Sequence, residues 1–414
     1  MSTVDLATQS LVARTVRRDP RLSSGHDLLD AFEPAPSDTG GFVWLRDGVG
    51  FVTGGVAARV PADAVDECLR AIEVRDDVEL PGTGAIAVGS LPFLHAASAT
   101  LTIPAWIEGR AADGSTWRTD IGPDDHTVRN VPEPTVESCD RSGPGQTHSE
   151  DITALDHWCA AIDAVLAAID AGHLAKAVLA RTVRVQAERR IDPIWLLRRL
   201  AAREPGRFLF ATDRIIGASP ELLIRRAGTA ITSRPLAGSV PLTQDAHALE
   251  ALTRSAKDRH EHRLVVDAIV SELTSSCARV EVGATTAVPL ADVAHLATTI
   301  RATAEAGTPS ALSLALALHP TPAVGGAPAA AALEHIARWE PEGRGHYAGP
   351  VGWVDARGDG EIAVGLRSAE LIGTDGRTAL VRAGAGIVTG SEPEAEWTEV
   401  DAKLTPVLRA LTTS

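Results

Sequence analysis

The run "GHYAGPVGWVDARGDGEIAVGLRSAELI" at 345–372, followed by "TALVRAGAGIV" at 378–388, constrains the fold more than any other part of the chain. Apolar segments of strand length alternate there with short links rich in Gly, Asp and Arg. Links that short join neighbouring strands in antiparallel fashion, because a parallel crossover needs a dozen residues or more. The segment reads as an antiparallel meander, closed by a helix at about 393–412. Similar short strands with Gly turns recur in "GFVWLRDGVGFVTGGVAARV" at 41–60, before a helix at 61–72. The pattern predicts an α+β protein whose large antiparallel sheets are covered by helices.

Further along, "GAIAVGSLPF" (84–93) and "ATLTIPAWI" (99–107) each read as one strand. Residues 1–110 are expected to form strands and helices packed on the same fold as the rest. From 111 to 150 Gly, Pro and polar residues dominate, which predicts a loop-rich connection. The region 151–412 then opens with a helix at 151–171, a strand at 176–186 and a helix at 192–204 with Pro at its first turn. "GRFLFAT" and "ELLIRRAGTAITSRP" add three strands, and "DAHALEALTRSAKDRHEHRLVVDAIVSELTS" reads as one long amphipathic helix. No GxGxxG or GxxxxGK[ST] phosphate-binding motif and no internal repeat is present.

A formal charge of −15 argues against general affinity for nucleic acid, yet leaves room for a small anion in a locally basic pocket. The four cysteines, Cys68, Cys139, Cys159 and Cys277, form no CxxC pair, so a reducing compartment is expected. The N-terminus has no apolar signal core, and no run reaches the ~18 to 20 apolar residues that cross a bilayer. These features predict a cytoplasmic chain that engages neither membrane nor nucleic acid.

The most loaded segment is "GAGIVTGSEPEAEWTEV" at 384–400, which holds Glu392, Glu394, Glu396 and Glu399 without a Lys or Arg. Glu396 and Glu399 are three apart and share a helix face. Asp258 and Glu261 repeat that spacing in "KDRHEH". Such pairs serve either as solvated acidic faces or as oxygen ligands suited to Mg²⁺ rather than Zn²⁺. Lys176 precedes a buried strand; it is a flanking charge or, if it faces inward, a desolvated general base. Glu221, in "GASPELL", is a strand-edge carboxylate or a poorly solvated acid. His260, His262 and His295 do not make HExxH and are expected to form hydrogen bonds. Arg367 suits a carboxylate or a cross-strand ion pair, and "RAGAGIV" suits anion binding or a tight turn.

Taken in order, the blocks "KAVLARTV", "GASPELL", "RPLAGS", "SAKDRHEHRLVVDAI", "HLATTI", "LHPTPAVGG", "YAGPVGW", "VGLRSAEL" and "GAGIVTGSEPEAEWTEVDAK" resemble the chorismate-utilising enzymes: the anthranilate, aminodeoxychorismate, salicylate and isochorismate synthases. The resemblance is dense from about 170 to 410 and echoes weakly in "AIAVGSLPF". It implies the chorismate-binding fold of two intimately packed lobes, with 151–412 as the catalytic region. It also implies Mg²⁺ held near Glu261, Glu396 and Glu399, Lys176 as the base that activates water, and Glu221 as the acid. Gly238, His295, Tyr347, Arg367, the amides of Gly384, Ala385 and Gly386, and Lys403 match positions that surround the substrate.

Within that family the nucleophile separates the branches. Aminodeoxychorismate enzymes carry a nucleophilic lysine in "PIKG", where this chain reads "PLAG" with Ala237; ammonia-using anthranilate synthases typically lack a lysine at the place of Lys176. Lys176 with Ala237 therefore resembles the water-using branch and implies isochorismate as product, in menaquinone or siderophore biosynthesis. Salicylate synthase, which adds pyruvate loss, is the alternative, and a non-catalytic binder of small acids is the third reading. The water-using branch implies a monomer without a glutaminase subunit.

Overall fold

The structure, a computed structural model, describes residues 11–18, 27–32, 40–124, 143–242, 247–290 and 292–412. Among these the strands form three sheets. The largest runs in the order Thr147–Asp151, Lys176–Ala187, Thr378–Ile387, Ser368–Ile372, Ile215–Ser219, Phe208–Ala211, Phe42–Arg46, Val49–Gly54, Trp106–Arg110, Thr116–Pro123, Leu11–Arg18 and Glu73–Asp76, with Gly326–Ala327 beside Lys176–Ala187. Its pairings are antiparallel except the last, Leu11–Arg18 with Glu73–Asp76. A second sheet of nine strands includes Leu222–Ala227, Gly360–Val364, Pro350–Asp355 and Ile86–Ser90. A small third sheet joins Leu236–Pro241, Val293–Ala297 and Thr286–Pro289.

Early and late parts of the chain are thus interleaved. Phe42–Arg46 pairs with Phe208–Ala211, and Ile86–Ser90 pairs with Pro350–Asp355. The result is a two-lobed α+β fold with large antiparallel sheets covered by helices, although the stretch read as one meander is split, Pro350–Asp355 pairing with Gly360–Val364 in the second sheet and Ser368–Ile372 with Thr378–Ile387 in the largest. On one face of the largest sheet, Leu179, Val183, Val185, Val381 and Ile387 pack in one core with residues of the helices Leu155–Asp170, Pro193–Arg203 and Pro393–Leu411. A separate core holds residues from both large sheets, among them Phe51, Trp353, Ile362 and Phe210.

Three expectations need correction. The long helix is two, Ala248–Arg254 and Ala256–Ser276, because Ser255 leaves helical geometry and its hydroxyl accepts the Asp258 amide at 3.2 Å, capping the second helix. The single strand read at 99–107 is also two, Thr100–Ile103 and Trp106–Arg110, lying in different sheets on either side of Pro104, which has no N–H to give a ladder. The supposed connection at 111–150 carries Thr116–Pro123 and Thr147–Asp151 at its ends. Residues 125–142 between them lie outside the described residues. Thr147–Asp151 is polar because it is an exposed edge strand, whereas Thr116–Pro123 is largely buried and carries Thr116, Arg118 and Thr119 inside.

Candidate active site

Two neighbouring strands near one end of the largest sheet provide the floor. Lys176–Ala187 and Thr378–Ile387 pair antiparallel, with Ala177 opposite Ile387 and Val178 opposite Gly386. Because side chains alternate across a strand, Ala177 and Leu179 face the helix-side core while Lys176 and Val178 face the other way. In the partner strand Ala383, Ala385 and Ile387 pack in the helix-side core, and Arg382, Gly384 and Gly386 line a cavity on the opposite face. That cavity encloses about 680 Å³ with its open mouth included.

Two of its walls are places where the chain leaves one large sheet for the other. Ile215–Ser219 belongs to the largest sheet and Leu222–Ala227 to the second, so Pro220 and Glu221 sit on the crossing. Gly360–Val364 and Ser368–Ile372 make the reverse crossing, with Arg367 at φ 50°. The crossings are laced together: Val364 N donates to Glu221 O at 3.1 Å, Ala218 N to Arg367 O at 3.1 Å, and Ser219 Oγ to Val364 O at 2.6 Å. Glu221 is only 2 % exposed, and burial pushes its carboxyl up to about 8, against the opposing pull of the Leu236 amide, Lys176 and Lys403.

Facing this acid is a set of groups suited to anions. Arg367 is buried and donates from Nη1 to Lys403 O at 2.6 Å; burial lowers its pKa, with Glu204 the foremost opposing charge. Lys403 Nζ contacts Gly384 O at 3.0 Å. Burial pushes the Tyr347 phenol up to about 12 and holds the His295 imidazole well below its ordinary range, so both are neutral donors or acceptors. Gly238, at φ +71°, also lines the cavity, and an added Cβ would sit 2.8 Å from Asp258 O.

Lys176 and the acidic residues form a cluster at one end of the cavity. Lys176 is fully buried with Nζ 2.9 Å from Glu261 Oε1, too far off line for a formed hydrogen bond. Glu261 lines the cavity; Lys176 contributes no surface to it. Burial works to raise the pKa of Glu261, but Lys176, followed by Lys403 and Lys257, outweighs it and holds the carboxylate ionised. Gly386 makes this contact possible, because an added Cβ would collide with the Glu261 carboxylate and lie 2.7 Å from Lys176 Cε. Glu399 Oε1 accepts from Ser239 Oγ at 2.6 Å and from Lys403 at 2.5 Å. Glu396 is 2 % exposed and pairs with Lys257 at 2.6 Å. Its pKa is raised by burial and then by Glu399, with Lys257 opposing. Each of the three glutamates therefore lies against one lysine. As they stand, the described residues hold no group of three acidic, His or Cys side chains arranged to bind a metal. The donor set is nevertheless all oxygen and crowded with like charge, which fits a hard divalent cation once the lysine contacts open.

Sequence reasoning missed three contributors. Lys257 stands four residues before Glu261, a helix-face spacing visible in "KDRHEH". Ser239 follows Gly238 without a signal of its own. Arg344 lies four after Glu340 and is almost fully used: Nε and Nη2 reach Glu340 at 2.7 and 2.6 Å, Nη1 reaches Val324 O at 2.6 Å, and Nη2 reaches Val178 O at 2.8 Å. Glu340 Oε1 also accepts from Ala180 N at 2.8 Å. This pair fills a gap in the ladder, since Gly326–Ala327 covers only 176–177 and Thr147–Asp151 begins at 183. His262, one of the histidines expected to form hydrogen bonds, contacts Thr298 Oγ1 at 2.7 Å.

Comparison with known proteins agrees with this architecture. The family model described as "Chorismate binding enzyme" matches residues 61–412. The chain is 35 % identical to isochorismate synthase DhbC of Bacillus subtilis over 79 % of this chain and 80 % of that protein. It is 38 % identical to a candidate isochorismate synthase, MenF, of Mycobacterium tuberculosis over 80 % and 87 %. The crystal structure of DhbC from Bacillus anthracis superposes with a TM-score of 0.76 at 29 % identity, covering 94 % of this chain and 99 % of that one. No helix among the described residues is long and apolar enough to cross a membrane. The chain belongs to the chorismate-binding enzyme family, on its isochorismate-synthase side.

Proposed function

We propose that the protein isomerises chorismate to isochorismate by adding water at ring C2 and expelling the C4 hydroxyl. The observation that carries this reading is the pair formed by a buried lysine amine, held at the edge of the cavity by Glu261, and a buried carboxyl, Glu221, that keeps its proton near neutral pH. Addition of water needs a base, and departure of hydroxide needs an acid. Lys176, its ammonium proton first given up to solvent, takes a proton from water as the water oxygen bonds to C2; both conjugated ring double bonds shift one place toward C4; Glu221 gives its proton to the C4 oxygen, which leaves as water. One water enters and one leaves, and a proton returned from Lys176 to Glu221 through solvent resets the site. Positioned proton transfer of this kind typically contributes ~10²–10⁴-fold in rate.

Arg367, Lys403, Tyr347 and His295 supply the charge and hydrogen bonds for the two substrate carboxylates, with Gly238 and the 384–386 strand leaving space beside the ring. Glu261, Glu396 and Glu399 would hold Mg²⁺, whose charge would add to that of Arg367 and Lys403 in attracting a dianion. Ala237 lines the cavity where a nucleophilic lysine would be needed for amine transfer, which favours water. Isochorismate is a precursor for menaquinone and siderophore biosynthesis, and both roles suit a cytoplasmic monomer that works without a glutaminase subunit. The test is incubation with chorismate and MgCl₂, with products separated chromatographically. Isochorismate as the sole early product is expected; direct release of salicylate and pyruvate would assign the alternative activity, and an amino-substituted ring product in the presence of ammonium would overturn the water reading.

A further inference from the structure

Three lysines touch the acidic cluster, and they differ in their freedom to leave it. Lys176 is fully buried, and Lys403 is 14 % exposed and tied to Gly384 O as well as Glu399. Lys257 is 35 % exposed, and its one hydrogen bond is to Glu396, itself nearly out of reach of water. It stands in the first turn of Ala256–Ser276, on the face shared with Glu261, so its four-carbon stem can swing its ammonium between the cluster and solvent.

We propose that Lys257 is an exchangeable counter-ion: its ammonium neutralises Glu396 in the metal-free protein and is released to solvent when a divalent cation takes its place. This rests on the Mg²⁺ reading above and adds to it a residue that sets the metal affinity. Physically, the cation must compete with a tethered ammonium, so its apparent affinity is the intrinsic one multiplied by the fraction of molecules in which Lys257 has swung away. The present geometry, with every glutamate against a lysine and no three acids converging, is the closed side of that equilibrium.

Two measurements on the full-length protein test this without reading activity. Calorimetric titration with MgCl₂ should show Lys257→Met binding about tenfold more tightly than wild type, while Lys257→Arg, which keeps a cation on Glu396, stays within about threefold. Acetylation by acetic anhydride, read by mass spectrometry on the wild type, should label Lys257 several-fold faster when Mg²⁺ is present, with Lys176 protected throughout. A wild type that binds Mg²⁺ but shows unchanged or slower labelling of Lys257, or a Lys257→Met variant that binds no more tightly, overturns the exchange and leaves the Mg²⁺ reading intact. A wild type that takes up no Mg²⁺ overturns both.

Discussion

Two buried ion-pair systems flank the cavity, and they are built differently. On one side Arg344 spends its guanidinium on Glu340 and on the carbonyls of Val178 and Val324, so that charge and geometry are both satisfied. On the other, Lys176, Lys257 and Lys403 each meet a single glutamate, and the Lys176 ammonium has no formed hydrogen bond. A planar fork with fixed donors locks the backbone it bridges, whereas an ammonium on a flexible stem can move or change partner at small geometric cost. The arginine side holds the floor strand in place. The lysine side is the one whose charges are free to change partner.

Lys176→Ala puts that division to its hardest test. If the lysine side is chemical, turnover should fall on the order of 10²–10⁴-fold while chorismate binding, measured by calorimetry, changes far less. Near-normal turnover would remove Lys176 as the base and break the comparison outright. Thermal melting belongs beside the assay, because the variant leaves Glu261 without its nearest cation.

Glu221→Gln comes next and separates chemistry from stability. Glu221 belongs to neither ion-pair system, and its raised pKa comes first from burial. The folded protein keeps this proton to about pH 8, whereas the unfolded chain releases it near 4.5. The native state thus binds more protons across that window, and this residue's contribution to stability falls as pH rises through it. Gln cannot titrate. The variant should lose turnover by ~10²–10⁴-fold, match wild type in stability near pH 5, and exceed it at pH 9. Wild-type kcat should fall as pH rises past about 8. A variant that loses stability relative to wild type with rising pH would contradict a neutral buried acid.

Much of this was legible in the residues. The strand-length apolar runs and short Gly links at 345–388 announced antiparallel pairing, though not that its strands divide between two sheets. The chemistry-bearing positions stood in ordered blocks, and Glu221, Gly238, Glu261, His295, Tyr347, Arg367 and Lys403 do meet around one cavity. Illegible were the features that depend on tertiary contact. Nothing local says that 215–227 and 360–372 change sheets at Glu221 and Arg367, since each crossing is fixed by partners more than a hundred residues away. The break at Ser255 was hidden by helical periodicity on both sides of it. Lys176 and Lys257, the partners of Glu261 and Glu396, come from other elements, and Lys403, four after Glu399 on the same helix, lies just beyond the stretch, so a count along 384–400 shows only repulsion.

On the arginine side, Arg344→Met should cost stability instead of specific chemistry, about 3–5 kcal/mol for breaking a buried pair. Any loss of turnover should follow the unfolded fraction. Arg344→Lys should rescue little, because one ammonium cannot reach Glu340, Val178 and Val324 together. Full rescue by lysine would show that charge alone matters there and would erase the contrast. Gly386→Ala should have a smaller structural cost, on the order of 1–3 kcal/mol for overpacking, but a disproportionate loss of turnover, since its new methyl meets Glu261 and Lys176 directly.

The smallest expected effect is also the sharpest discriminator. Lys257 and Arg344 both pair with a glutamate at 2.6 Å, Glu396 buried and Glu340 nearly so, so a tally of salt bridges would rank them equally. Exposure and hydrogen bonding rank them far apart. Lys257 is 35 % exposed and makes one contact, from which its ammonium can return to water, whereas Arg344 is 1 % exposed and holds two backbone carbonyls that would be left without it. Lys257→Met should therefore cost the metal-free protein no more than about 1 kcal/mol in denaturant unfolding, against several for Arg344→Met. Equal losses would mean that Lys257 is as fixed a part of the scaffold as Arg344, and the lysine side could no longer be the side that exchanges.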